Sequence, residues 1–489
     1  MNSIKLNFEQ FKDKVYSCWI GKNIGGTMGT PYERTRDFLD IKGFSTAAGA
    51  PLPNDDLDLQ LIWLHAVESV GAKNVNAEVL GELWLNTIVG NWNEYGIAKS
   101  NIRKGLVPPM SGDYANSWKN SNGAWIRTEI WACLAPGCPD IAAKYAIEDA
   151  KVDHGAGEGT TAAAFVAAMQ SSAFVLNDIR KCINVGLSVI PTESRMADSV
   201  RFVIDCYERG MSIRDTRDAV QKRNSDIGNG WFEAPSNVAY AIIGLLWGNG
   251  DFKKSMITAI NCGDDTDCTA ATVGATLGIL GGSHAIPEDW KEHIGDKIIT
   301  VSLSLADHKS GGRRPRSCTE LSSRVIAETP HMLFANNAAA VIVESENVIP
   351  ENIEEQLIKQ CELFKEKEPI VPYSLTVSNQ ILSATAVLKK EPQITENDEV
   401  SGYVRVQSTR HFGDETYNLN LRWWLPDGFA AEMPKSAVIY ANNDHSKPVT
   451  YIQFNIKSGD NVSAVNRCVL EITASGRSTA LYVPIVLIG

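Results

Sequence analysis

The chain has 489 residues, 44% of them hydrophobic, and a formal net charge of −12. That length predicts two domains with real cores. The acidic balance argues against nucleic acid or an anionic membrane as a main partner, and no run of about eighteen apolar residues exists to span a bilayer. The first seven residues, Met1 to Asn7, lack the apolar core of a secretory signal, so a cytoplasmic location is expected.

Residues 1–325 read as an all-α domain. Apolar residues recur at helical spacing over 56–70, 79–88, 124–134, 160–175, 199–208 and 236–247, with Gly/Pro/Asn loops between them. Small residues recur every fourth position in three places: Gly21, Gly25 and Gly29; Gly155, Gly159, Ala163 and Ala167; and Ala270, Gly274, Gly278 and Gly282. Glycine costs a helix about 1 kcal/mol relative to alanine, so the repetition predicts close backbone packing between helices. Residues 326–369, with a charged helix near 351–366, read as a linker.

From 370 to 489 the period changes to two. Tyr417, Leu419, Leu421 and Trp423 alternate with polar residues, as do Ile452, Phe454 and Ile456. Turn signals at 426–428, 442–444, 458–460 and 475–476 divide about seven to nine short strands, which predicts an antiparallel β-sandwich. Ten cysteines are spread thinly, nine of them before residue 370. Cys133 and Cys138 have no matching His or Cys pair, so zinc is not expected and the thiols read as reduced and packed.

Two acidic knots lie about 210 residues apart: Asn54-Asp55-Asp56-Leu57-Asp58 and Gly263-Asp264-Asp265-Thr266-Asp267-Cys268. Each opens a helix-like stretch. One Asp there is an ordinary cap; three crowded carboxylates exceed what capping needs and repel one another unless cations neutralise them. With no Cys/His pair nearby, the chemistry suits Mg²⁺, Mn²⁺ or Ca²⁺. Neither knot has the EF-hand order. The aspartate-rich motif of terpene synthases is spaced differently, and no cationic diphosphate clamp stands beside either knot.

Residues 21–26, the first knot, the small-residue helix after His154 and the second knot followed by Ala270-Ala271-Thr272-Val273-Gly274-Ala275 resemble the ADP-ribosylglycohydrolase family, over about residues 10–300. That resemblance implies an orthogonal all-α fold, two Mg²⁺ or Mn²⁺ ions bridged across the knots (one or two are expected in this chain, given the departures below), and hydrolysis of the N- or O-glycosidic bond at C1 of an ADP-ribosyl or related ribosyl group. It implies an ADP-ribosylated protein or a small ribosyl conjugate as substrate. Carried over, Asp55, Asp56, Asp265 and Asp267 become metal ligands, with Asp55, Asp56 and Asp265 also available to the chemistry. Two positions depart from the family's pattern. Asn54 stands where a threonine is usual, and its amide oxygen is still a hard ligand. Cys268 stands where the last threonine is usual, and a thiol is a poor Mg²⁺ ligand. These departures keep open a second reading, a non-catalytic structural or ligand-binding relative.

Asp58 and Asp264 read as solvated caps or outer acids. The turn carrying Asp153, His154, Gly155 and Glu158 offers His154 and Glu158 as residues of a substrate cleft. Glu94 is a further acid, Asn229-Gly230-Trp231 could stack a ribose or base, and the loop 105–112 reads as cleft wall or scaffold. The glycines at 22–26 lack a surrounding βαβ unit and are no nucleotide fingerprint. The basic run 311–316 reads as a solvated loop.

Overall fold

The computed structural model describes residues 4–49, 51–304, 314–367, 369–409, 416–440 and 449–489. The expected turn at 442–444 and residues 311–313 of the basic run fall outside these ranges. The chain divides into two compact units, Met1–Gly96 with Asn116–Pro369, and Ile97–Ala115 with Ile370–Gly489.

The first unit is built on helices. Its central pair is Phe8–Gly29 and Thr266–Gly281, and both are buried around most of their circumference. Their sequences explain how two helices can lie that close. A methyl group on Gly21 would collide with the Gly274 carbonyl, one on Gly25 with Ala270, one on Gly29 with Thr266 and Asp267, and one on Gly278 with Ser17. The two outer stripes are therefore one interlocked seam. The third behaves differently: Gly155 lies ahead of the Glu158–Ser172 helix at φ +51°, while Ala163 and Ala167 are fully buried within it.

Expected helices are found at Asp55–Val70, Ala77–Thr87, Glu158–Ser172, Arg195–Glu208 and Ala234–Gly248. The expected 124–134 helix is broken into a 3₁₀ turn, Trp125–Arg127, and a short helix, Glu129–Leu134. Gln60 accepts the Ile130 N–H there, a long-range bond that replaces an intrahelical one. Helix Cys318–Ala335 runs through Pro330, and a second helix covers Ile353–Lys367. Between them strand β2 (Ala340–Val343) pairs in parallel with β1 (Ile4–Asn7), which sequence reading did not foresee. Four residues are too few to display an alternation.

In the second unit the strands are β3 (Ser374–Ser378), β4 (Leu382–Leu388), β5 (Glu399–Ser408), β6 (Tyr417–Trp424), β7 (Ala430–Glu432), β8 (Ser436–Ile439), β9 (Val449–Lys457), β10 (Val465–Ala474) and β11 (Ala480–Ile488). They form two antiparallel sheets, ordered β3-β4-β5-β9-β7 and β11-β10-β6-β8. Tyr417, Leu419, Leu421, Ile452, Phe454 and Ile456 face one hydrophobic cluster. Leu106, Met110 and Tyr114 belong to the same cluster, so the loop 105–112 is scaffold for this unit. Asn101 closes that loop by donating to the Ser111 and Tyr114 carbonyls.

Candidate metal centre

Both knots sit where a helix begins, and local bonding decides which acids are left for chemistry. Asn54 precedes the Asp55–Val70 helix, and its Oδ1 accepts from the Asp56 N–H at 2.7 Å. With the cap supplied by an amide, the Asp55 and Asp56 carboxylates are spared that task. Asp265 occupies the cap position of Thr266–Gly281 and makes no capping bond. Its Oδ2 accepts instead from Asn122 Nδ2 at 2.6 Å, and its own N–H donates to Asn237 Oδ1. The turn before it uses Gly263 and Asp264 at φ +75° and +68°, which redirects the chain sharply into the helix.

The glycine seam brings the knots together. Asn54 Nδ2 lies 3.5 Å from Asp267 Oδ2, and Cys268 Sγ lies 3.4 Å from Asp56 Oδ1. Asp56, Asp267 and Cys268 each offer a ligand atom within 4.8 Å of the others. Tyr95 donates its hydroxyl to Asp55 Oδ2 at 3.4 Å. Asp56 Oδ2 and Asp267 Oδ1 are buried with no hydrogen-bond partner. Orphaned carboxylate oxygens are costly away from water, and a divalent cation among them would satisfy both. Burial first, then the Asp267 charge, pushes Asp55 up to about 6. Asp265 is held well above the ordinary carboxylate range, by burial and then Asp267. Asp56 is raised too, because its burial outweighs the Lys22 ammonium 3.8 Å from Oδ2. Such a cluster gains most from a bound positive charge. The donor set fits a hard divalent ion.

The family model described as ADP-ribosylglycohydrolase matches residues 8–316. The chain belongs to the ADP-ribosylglycohydrolase family. The match spans both knots and the seam that joins them. A curated relative, an uncharacterized protein of Archaeoglobus fulgidus, is 25% identical over 308 residues, covering 60% of this chain and 95% of its own. A solved chain described as an ADP-ribosylglycohydrolase-related protein complex is 19% identical and is covered over 99% of its length and 66% of this chain, with a TM-score of 0.42. A FixG-related protein from Vibrio parahaemolyticus, 8% identical, is covered over 97% of its length and 23% of this chain, with a TM-score of 0.18.

Elsewhere in this ADP-ribosylglycohydrolase-family chain the other proposed residues part company. Asp58 accepts from the Val301 and Ser302 N–H groups and the Ser302 hydroxyl. Asp264 accepts from Phe232 N–H and Asn237 Nδ2. Both are buried tethers for loops, not solvated caps. Glu158 is spent on the Arg195 and Met196 N–H groups, at 3.0 and 2.9 Å, and caps the Arg195–Glu208 helix away from the aspartates.

His154 is fully buried. Its Nδ1 lies 2.9 Å from Asp153 Oδ1 and its Nε2 lies 3.2 Å from Ser121 Oγ. Burial would raise Asp153, yet Arg127 and then His154 hold it down to about 2. Glu94 joins this second cluster and is pushed up to about 7 by burial. His154 thus belongs with Asp153 and Glu94 rather than with the knots. Trp231 is half-buried and stacks on Phe232 at 4.6 Å, and Asn229 donates to Glu233 and Ser117.

Sequence reading missed three residues at the aspartates: Lys22, Asn122 and Glu33. Glu33 is half-buried, and its carboxyl is pushed up to about 7 by burial, then by Asp267, with Asp55 adding to the effect. A signal for it existed. The stripe that ends at Gly29 packs on Asp267, so the chain just beyond it has to emerge beside the knots.

Proposed function

We propose that this chain is a metal-dependent hydrolase that cleaves the N- or O-glycosidic bond at C1 of an ADP-ribosyl or related ribosyl group. The nearness of Asp56, Asp267 and Cys268, whose ligand atoms lie within 4.8 Å of one another, with Asp56 Oδ2 and Asp267 Oδ1 buried and without hydrogen-bond partners, is the observation that supports this reading. Asp55, Asp56, Asp265 and Asp267 would hold Mg²⁺ or Mn²⁺, with the Asn54 amide beside them. When bound, the ion would position ribose hydroxyls or the attacking water and lower that water's pKa.

Cleavage builds positive charge at the sugar carbon, which a carboxylate-lined site stabilises, and it needs a base for the water. Glu33 fills that role in this reading, since it stands beside the cluster, is open to solvent on one side and has a pKa near neutrality. Asn122 keeps Asp265 aimed at the centre through its amide. The substrate is an ADP-ribosylated protein or a smaller ribosyl conjugate. We read the two sheets of the second unit as a sandwich and place the protein in the cytoplasm, consistent with ten buried, unpaired cysteines.

The test is release of a ribosyl product from a panel of arginine, serine and nucleoside-type conjugates, with protein stripped of metal and then given Mg²⁺ or Mn²⁺. Turnover should require the ion and should be lost in Asp267→Asn. Glu33→Gln should bind the ion normally and lose about 10²- to 10⁴-fold in kcat. Equal turnover in chelator, or in Asp267→Asn, contradicts the reading. A bound ion with no turnover on any conjugate favours the non-catalytic relative that the Cys268 departure keeps open.

A further inference from the structure

Lys22 is the least expected residue in the seam. It lies on the Phe8–Gly29 helix among glycines that press against the opposite helix, and it is only 1% exposed. Its ammonium has three oxygen neighbours. Nζ donates to the Ile126 carbonyl at 2.7 Å, lies 3.1 Å from Glu129 Oε2 and 3.8 Å from Asp56 Oδ2. Glu129 in turn is fixed by Gln60 Nε2 on one oxygen and Gln170 Nε2 on the other, each at 3.0 Å. Neither partner can swing away without stranding a buried polar group, so the ammonium is a permanent cation beside a metal-ligand carboxylate.

The other side of Asp56 is closed as well. Its Oδ1 meets the Cys268 sulfur at 3.4 Å, where a thiol offers a hard ion a poor ligand. Asp267 Oδ1 is buried with no hydrogen-bond partner, and among the described residues no ion pair is found at Asp267. The cluster is therefore asymmetric: one end already carries a positive charge, and the other lacks one.

Resting on the metal-site reading above, we propose that the centre takes one divalent ion, and that the Lys22 ammonium supplies at Asp56 the positive charge a second ion would otherwise bring. Repulsion between this fixed ammonium and a further dication, together with the missing oxygen at Cys268, sets the stoichiometry.

Full-length protein stripped of metal and titrated with Mn²⁺ alone tests this, with bound Mn²⁺ per chain measured by equilibrium dialysis and its coupling by electron paramagnetic resonance. The expected result is one ion per chain with a mononuclear six-line spectrum. Two spin-coupled ions per chain would overturn the role of Lys22 while leaving the metal site standing. No bound ion would overturn the site itself and this inference with it.

The triple variant Lys22→Met, Glu129→Gln, Cys268→Thr removes one charge of each sign and adds a hydroxyl, and it should take up a second Mn²⁺. A folded triple variant that stays at one ion contradicts the charge argument. Cys268→Thr alone keeps the lysine arrangement and should remain at one ion whether or not the triple variant folds. If this single change is enough to admit a second ion, the thiol sets the stoichiometry and the proposal fails.

Discussion

Asn122 orients a proposed ligand without being one itself. Its amide nitrogen donates to Asp265 Oδ2 at 2.6 Å and its amide oxygen accepts from Trp125 Nε1 at 2.9 Å, so the side chain is clamped between the Asp265 carboxylate and a buried indole. Partners that orient ligands typically contribute 10- to 100-fold in metal affinity. Asn122→Ala should therefore weaken Mn²⁺ binding by about that factor in calorimetric titration, with the far-UV spectrum unchanged. Unaltered affinity would mean that Asp265 needs no orienting. The knots themselves were legible because crowding of like charges is a local property of sequence. Asn122 was not, because it reaches the cluster from a separate segment; Lys22 and Glu33 lie on or just beyond the Gly21–Gly29 stripe, and only the packing of that stripe on the second knot shows where they stand. His154 and Glu158 illustrate the opposite failure. They share one glycine-rich turn, yet one is buried against Asp153 and the other caps a helix some 37 residues on. Nearness in sequence does not make a common site.

At the scale of elements, the glycine seam decides whether the knots meet. Asp265 and Asp267 ride on Thr266–Gly281, and its packing on Phe8–Gly29 sets where those carboxylates stand relative to Asp55 and Asp56. Gly25→Ala would drive a methyl into the Ala270 backbone, which cannot move like a flexible side chain. Overpacking of this kind costs about 1–3 kcal/mol, so chemical denaturation should show a loss in that range together with weaker Mn²⁺ binding. Gly43 has open space around its would-be Cβ and no left-handed backbone, so Gly43→Ala should change stability by less than about 0.5 kcal/mol. Equal effects at the two positions would contradict the seam. Two of the three small-residue stripes were readable as this seam because period four repeats over several turns. The β1–β2 pairing was not, since it joins Ile4–Asn7 to residues more than 300 positions away through four-residue strands. Nor could spacing foretell that the loop 105–112 belongs with the strands beyond 370, since Leu106 and Met110 look like any loop hydrophobics until their partners are placed.

At the scale of the whole molecule, buried acids make stability depend on pH in an unusual direction. Burial holds Asp55 at about 6 and Asp58, Glu94 and Glu233 at about 7, with Glu33 at about 7 from burial and Asp267. A carboxyl raised in the folded state binds more protons folded than unfolded. The stability it contributes is full below about pH 4 and is lost as pH rises through 6 to 7. Asp153, held at about 2 against its burial by Arg127 and His154, changes only in stronger acid. His65, lowered by burial, works the other way as pH falls below its ordinary 6.5, and is outnumbered. The metal-free protein should thus have a Tm that falls from pH 5 to pH 8. Divalent ions should flatten this slope in part, because they stabilise the ionised aspartates of the knots but do not reach the raised carboxyls of Glu94, Asp58 and Glu233. A Tm that rises over the same interval in chelator would contradict the assignment. Whether the two acidic knots make one metal centre is tested most directly by anomalous diffraction from crystals grown with Mn²⁺. An anomalous peak is expected among Asp55, Asp56, Asp265 and Asp267, at roughly 2.0–2.3 Å from carboxylate oxygens. A peak bound elsewhere, or no peak between the knots at saturating Mn²⁺, would contradict a shared centre.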